Sequence, residues 1–232
     1  MVAGEAPAQR LASIVGVAVG EYAKGVDARG RLISAQERDE AAGFLIDARD
    51  VASRLPGNGR ETTIALLDTL VVAMRSNRPL GEVQAIYGRF AAVLGSAGAL
   101  TMPRGTLDLA AGRTLYAQDC ASCHGTAGLG DGPGAKGLTT PPPAIGSAST
   151  MASVTPALMY RLVSVGVRGT AMPPWAAALT PDERWNIVAY VTSLRATSEQ
   201  VREGEGLYFQ RCASCHGSAL GSGPYAHDLS TT

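Results

Sequence analysis

Gly112-Arg113-Thr114-Leu115-Tyr116-Ala117-Gln118-Asp119-Cys120-Ala121-Ser122-Cys123-His124 is the stretch that decides the fold of this chain. It returns as Gly204-Glu205-Gly206-Leu207-Tyr208-Phe209-Gln210-Arg211-Cys212-Ala213-Ser214-Cys215-His216. In each copy a glycine, a tyrosine and the first cysteine are spaced by four, which places them on one face of a helix. Together the copies use all 4 cysteines and two of the 3 histidines of the 232-residue chain.

Two thiols three residues apart on a helical turn face the same side, and the next residue presents an imidazole below them. Cys-x-x-Cys-His is the pattern that attaches a c-type haem through both thiols and binds its iron through the histidine. A redox dithiol usually follows a strand, whereas here the motif follows a helix. Two such pairs also have the thiols for a zinc site, and four cysteines can form disulfides, although they are few for a disulfide scaffold. The histidine directly after the second cysteine, present both times, argues against all three. The sites read from the motifs are therefore Cys120, Cys123 and His124 for one haem, and Cys212, Cys215 and His216 for a second.

The helix carrying Gly112 and Tyr116 needs a partner that approaches closely at the glycine. Thr180-Pro181-Asp182-Glu183 supplies a helix start, with a capping box and proline at the first helical position. Trp185, Ile187, Val188, Tyr190, Val191 and Leu194 give the helix that follows a broad apolar surface, expected to clamp the first helix over the haem.

These residues resemble the class I c-type cytochromes, over roughly Thr106 to Ala196. The resemblance implies a small all-α fold with His124 as proximal ligand and a methionine in the loop before the last helix as distal ligand. Met172 occupies such a loop, in Gly169-Thr170-Ala171-Met172-Pro173-Pro174-Trp175, where proline forbids a continuing helix. Met151 and Met159 instead flank the start of a helix at Thr155-Pro156. His/Met ligation raises the reduction potential relative to two histidines. Gly128 to Gly146, with Pro141-Pro142-Pro143, reads as an irregular loop. The resemblance implies that a proline carbonyl there receives the second N–H of the proximal histidine, and leaves open which of the three prolines does so. Arg168 is a candidate partner for a haem propionate, with exposure to solvent as the plainer reading.

Tyr116 to Gly125 recurs almost unchanged as Tyr208 to Gly217, at a domain-sized spacing. No methionine follows Met172. His227 aligns with Lys136 and reads as a loop histidine rather than a ligand. The expectation is a second cytochrome domain that this stretch of sequence does not complete.

The first hundred residues contain neither cysteine nor histidine, and helical periodicity dominates them. Helices are expected over about Ala8 to Lys24, from a capping box at Ser34-Ala35-Gln36-Glu37 to Leu55, over about Glu61 to Ser76, and over about Leu80 to Leu94. Short turns between them suggest an up-down bundle. Tyr22-Ala23-Lys24-Gly25-Val26-Asp27-Ala28-Arg29-Gly30-Arg31-Leu32-Ile33, followed by a glutamate-rich helix, resembles the periplasmic leader domain of bacterial Ftr-type iron permeases. Some members place cytochrome c domains between leader and permease. That resemblance implies a role in iron uptake, a membrane permease domain C-terminal to this stretch, and a redox partner protein or an iron ion as the electron source. Glu37, Asp39, Glu40, Asp47 and Asp50 cluster on one helix and offer hard oxygen ligands, but basic neighbours make a solvated acidic surface the simpler reading.

The expected fold is all-α: a four-helix bundle-like leader (1–98), a linker (99–105), a class I cytochrome c domain (106–197) and the truncated start of a second (198–232). Twenty basic and twenty acidic residues balance, which gives no reason to expect nucleic acid as a partner. The run Leu11 to Gly20 is too short to span a membrane and lacks the basic flank of a signal peptide. Haem c attachment nevertheless places the protein in the periplasm, with its signal sequence outside this chain. No catalytic triad, phosphate loop or nucleotide motif occurs. An electron carrier rather than an enzyme is expected, with a cytochrome subunit of a dehydrogenase or terminal oxidase as the alternative to the permease module.

Overall fold

A computed structural model describes residues 6–57 and 59–217. Among the described residues there are helices and loops, with one isolated bridge between Val26 and Leu32 and no longer strand. His227 and the segment around it lie outside the described residues. The chain divides into two compact units: Met1–Thr101 with Ala157–Ala178, and Met102–Pro156 with Leu179–Thr232.

The first unit is built on four helices, α1 (Pro7–Gly25), α2 (Ala35–Ala52), α3 (Gly59–Arg75) and α4 (Leu80–Leu94). Sequential neighbours pack, and α4 returns to α1, as an up-down bundle requires. Leu11, Val15, Tyr22, Leu45, Leu67 and Phe90 are fully buried in its core. Tyr22 is also tied by its hydroxyl, which donates to the Arg78 carbonyl at 2.5 Å. That bond joins the end of α1 to the α3–α4 turn.

The capping box expected at Ser34 forms only by half. Ser34 Oγ accepts from the Glu37 backbone N–H at 3.3 Å, but the Glu37 carboxyl turns towards Glu21 on α1 instead. Burial, a hydrogen bond with Glu21 and the Glu21 charge together raise the Glu37 pKa to about 7, against the opposing charge of Lys24. Tertiary packing has taken the side chain away from its local partner.

The first unit also includes α7 (Pro156–Val165) and the loop to Ala178. The sequence places these residues inside the cytochrome domain of 106–197. In the structure Leu158, Leu162, Val165 and Val167 pack against the leader core. The reason is the apolar face of α7, which finds the leader's buried surface.

The second unit contains α5 (Leu109–Asp119), the short α6 (Ala121–His124), α8 (Pro181–Ser193), α9 (Ser198–Arg211) and the short α10 (Ala213–His216). Asp108 caps α5 by accepting from the N–H groups of Ala110 and Ala111, both at 2.9 Å. Both arms of the Thr180–Glu183 capping box are present at the start of α8. Helices α5 and α8 pack against each other, and Trp185, Ile187, Val188 and Val191 of α8 are buried. No helix among the described residues is long and apolar enough to cross a membrane.

Candidate haem-binding site

Gly112 permits the α5–α8 crossing. A Cβ built there would run into the Asn186 carbonyl and lie 3.1 Å from Tyr190 Cβ, so any side chain would separate the helices. One turn further on, the rings of Tyr116 and Tyr190 meet with centroids 5.4 Å apart and planes tilted by 56°, a favourable offset for two aromatics. Asn186 Oδ1 also accepts from the Asp108 N–H at 2.9 Å, and Asp182 Oδ1 from the Arg104 N–H at 3.1 Å. The segment before α5 is thereby stitched to α8.

Tyr116 then turns the chain. Its buried hydroxyl donates to the Gly125 carbonyl at 2.7 Å, fixing the residue just past the Cys-x-x-Cys-His stretch. Burial, before any neighbouring charge, raises its pKa. Cys120 ends α5 with φ −118° and ψ −38°, and α6 restarts at Ala121. The carbonyls at the end of α6 are not left bare: the Gly130 N–H donates to His124 O at 2.9 Å and the Gly132 N–H to Cys123 O at 3.2 Å. This glycine-rich loop thereby meets the need of a helix end for outside partners.

Cys120 and Cys123 are free thiols, both half-buried. Burial pushes the Cys120 thiol up to about 12, helped by the Asp119 charge. In an attached c-type centre its Sγ is a thioether, which has no proton to lose. Among the described residues no group of three or more His, Cys, Asp or Glu side chains is arranged to hold a metal ion.

His124 carries the clearest observation. Its Nδ1 is buried with no hydrogen-bond partner. The Pro143 carbonyl lies close enough to favour the protonated ring, though the approach falls short of hydrogen-bond geometry, and burial outweighs it to lower the pKa overall. A neutral imidazole with one nitrogen turned to a carbonyl is the form in which histidine ligates a metal. Of the three prolines left open by the sequence, Pro143 is the one beside the ring. Two free thiols on the same turn and this imidazole fit a covalently attached haem.

Met172 is half-buried, in a closed loop of the first unit. The Val167 N–H donates to the Met172 carbonyl at 3.2 Å, and the Met172 N–H to Thr170 Oγ1 at 3.2 Å. Gly166, with φ +73°, ends α7, and a Cβ there would lie 2.7 Å from the Met172 carbonyl. Met151, in the second unit, and Met159, in the first, are both buried. Arg168 is spoken for: its guanidinium donates to the Gly43 carbonyl at 2.9 Å and pairs with Asp47 at 3.2 Å. Asp39 pairs with Arg38 and Glu40 accepts from Gln36, so the acidic residues of α2 are largely engaged by neighbours.

The second copy repeats the local geometry. The Tyr208 hydroxyl donates to the Gly217 carbonyl at 2.7 Å, and Cys212 ends α9 with φ −117° and ψ −35°. Helix α9 has no buried residue among those described.

The family model for cytochrome c oxidase, cbb3-type, subunit III, matches residues 107–191. Residues 107–191 are a class I cytochrome c domain. The match runs unbroken through Ala157–Ala178. The cbb3-type cytochrome c oxidase subunit FixP of Sinorhizobium medicae (strain WSM419) is 31% identical over 121 residues, covering 47% of this chain and 39% of that protein. The subunit CcoP of Azospirillum sp. (strain B510) is 31% identical over 124 residues, with the same coverage of 47% and 39%. The chain thus spans about 39% of the length of these curated relatives. Among solved structures, the Kuenenia stuttgartiensis reducing HAO-like protein complex Kustc0457/Kustc0458 is 26% identical, covering 50% of this chain and 60% of that one, at a TM-score of 0.37. A score that low carries no argument about architecture. Cytochrome c domains of this kind bind covalently attached c-type haem, and the domain is an electron-transfer module.

The sequence motifs did not mark the groove on α1 that receives α7. A Cβ on Gly16 would lie 2.8 Å from the Arg161 guanidinium, and one on Gly20 2.9 Å from Leu158. Two glycines four apart in an otherwise apolar helix are the signal that could have revealed it.

Proposed function

We propose that the chain is a periplasmic electron carrier. In this reading Cys120 and Cys123 hold one haem c, His124 is the proximal ligand and Met172 the distal one. Cys212, Cys215 and His216 hold a second haem when that domain is completed. The observation that carries the reading is the buried His124 imidazole, with Nδ1 lacking a protein partner and the Pro143 carbonyl near the ring, at the end of the turn that holds two free thiols. When bound, the haem supplies a one-electron couple whose potential depends on its axial ligands. The protein's part is to hold the ring and the loop. Pro143 orients the His124 imidazole, burial keeps it neutral, and the Tyr116–Gly125 bond fixes the turn that presents it. The assignment of Met172 rests on its place in a proline-flanked loop before α8.

The test is the ferric spectrum of the haem-loaded Met172→Ala protein. Loss of the weak sulfur-to-iron band near the red edge is expected; a retained band overturns the assignment.

Two contexts have support of different kinds. The Tyr22–Ile33 stretch supports a module of a high-affinity iron permease, where a haem held by Cys120, Cys123 and His124 would supply the acceptor for the one electron that ferrous iron loses on becoming ferric. The likeness of residues 107–191 to a cbb3 oxidase subunit supports a carrier serving a terminal oxidase. Rapid mixing of the ferric holoprotein with ferrous iron separates them. Reduction by iron faster than by a reduced soluble cytochrome c favours the permease module, and the reverse order favours the oxidase partner.

A further inference from the structure

The loop that brings Pro143 beside His124 lies wholly in the second unit, and its two arms are tied together. The Gly146 N–H donates to the Gly128 carbonyl at 2.8 Å, and the Ile145 N–H donates to the Pro143 carbonyl at 2.9 Å. Gly130 sits so close to the Pro142 carbonyl that a Cβ there would collide with it. The Gly130 N–H in turn donates to the His124 carbonyl at 2.9 Å. The first arm is thus bonded to the backbone of His124, and the second carries the carbonyl beside its ring.

The second arm is hard to hold from within. Pro141, Pro142 and Pro143 have no N–H to donate, so outside groups must secure it through its carbonyls and through the residues that follow. Arg195 is such a group. It lies two residues past the end of α8, is half-buried, and donates from Nε to the Ile145 carbonyl at 3.2 Å. Burial holds its pKa below the ordinary arginine value. A hydrogen bond from a charged donor that water only partly reaches is worth more than a neutral, solvated one. Both backbone groups of Ile145 are therefore engaged: its carbonyl takes the guanidinium and its N–H goes to the Pro143 carbonyl. Helix α8 also packs on α5, the helix that leads into Cys120. One helix thus supports the histidine from two sides.

We propose that Arg195 is a positioning residue for the proximal ligand: its bond to the Ile145 carbonyl holds the Pro143 carbonyl at the His124 ring. This rests on the reading of His124 as that ligand. A ligating histidine whose second ring nitrogen faces a fixed carbonyl keeps one orientation and is a stronger donor to the metal, so an arginine 71 positions away in the chain sets the quality of the iron–histidine bond.

The experiment uses the full chain with haem attached, in the ferrous state. NMR measures the solvent exchange of the His124 Nδ1 proton, of the Gly146 amide and of the α5 amides. Arg195→Met keeps an apolar stem and removes both donor and charge. Arg195→Gln puts a neutral amide N–H at the same point of the side chain as the arginine Nε, while Arg195→Lys keeps the charge but has a methylene there. Arg195→Met should speed exchange of the Nδ1 proton and the Gly146 amide by about ten-fold. Arg195→Gln should stay within about three-fold of the parent, and Arg195→Lys should resemble Arg195→Met. The α5 amides should be unchanged in all three. Parent-like exchange in Arg195→Met overturns the proposal. Rescue by lysine but not glutamine also overturns it, since the charge and not the bond would then matter. Faster exchange of the α5 amides in step with Gly146 would reduce Arg195 to general stability of the unit. If the parent's His124 ring protons lack the shifts of an iron-bound imidazole, the ligand reading fails first and the positioning role falls with it.

Discussion

The two copies of Cys-Ala-Ser-Cys-His are alike where the chain is local and different where it is tertiary. Each has a tyrosine hydroxyl bonded to the glycine nine residues on at 2.7 Å. Each has a cysteine that ends one helix and starts the next, and a serine Oγ 3.9 Å from the second thiol. Around the first copy, however, α8 covers Gly112 and Tyr116, leaving Tyr116 only 1% exposed. Around the second, no described residue lies within 4 Å of a Cβ on Gly204, and Leu207 and Phe209 are 46% and 51% exposed. Ten residues of nearly identical sequence therefore fold the same turn in both places, and at the first α8 packs over it.

The largest expected effect comes from the paired glycines, and it changes sign between the copies. Gly112→Ala puts a methyl group into the Asn186 backbone and should destabilise the second unit by about 1–3 kcal/mol. Among the described residues nothing crowds Gly204 on its exposed helix, and Gly204→Ala should stabilise α9 by roughly 0.5–1 kcal/mol. Hydrogen exchange of the α5 and α9 amides measures both. Destabilisation at both positions would mean that α9 has a cover of its own.

Tyrosine to phenylalanine is a smaller probe of the same contrast. Tyr116→Phe leaves the buried Gly125 carbonyl without its partner and should cost about 1–3 kcal/mol. At Tyr208→Phe, half-buried, water can replace the lost hydroxyl, and a cost below about 0.5 kcal/mol is expected. Equal losses in denaturant midpoint would erase the distinction between the copies.

The caps should differ least. Thr180→Ala removes one arm of the box that starts α8 and should cost about 1 kcal/mol in the stability of the second unit. Thr197→Ala, at the matching box of α9, should fray α9 alone and leave the α5 amides protected. A fall in α5 protection on Thr197→Ala would show the two copies to be coupled.

A neighbouring helix also changes local chemistry in the leader, where it produces a pH effect. Glu37 titrates near 7 in the fold, against an ordinary value of 4.5. A carboxyl with a raised pKa binds its proton more tightly in the folded state, so its stabilising contribution is present below about pH 4.5 and is lost as pH rises through 7. Glu37→Gln should therefore raise the thermal midpoint at pH 8 and leave it nearly unchanged at pH 4. An equal shift at both pH values would rule out the Glu21–Glu37 interaction as its cause.

Much of the architecture is legible from the chain. The four leader helices follow apolar periodicity and turn residues, and α4 begins at Leu80 and ends at Leu94 as read. Thr180-Pro181-Asp182-Glu183 caps α8 because both arms of the box are local. The box at Ser34 misleads because Glu37 has a non-local competitor in Glu21. Arg168, a candidate for a haem propionate, is committed to α2, and nothing in its immediate sequence indicates that partner 125 residues away. The choice of Pro143 among three prolines likewise needed the fold, since consecutive prolines are indistinguishable by pattern.

The sequence alone determined the chemistry. Two thiols and an imidazole in a five-residue stretch lie within one helical turn, and their relation depends on backbone geometry that any such stretch adopts. The tertiary structure decided how α8 packs over Tyr116, which carbonyl lies beside His124 and which helices the Met172 loop contacts. Each of these is a contact between residues far apart in the chain, set by how apolar faces and glycine grooves find one another, and a linear pattern does not encode the choice among several possible partners.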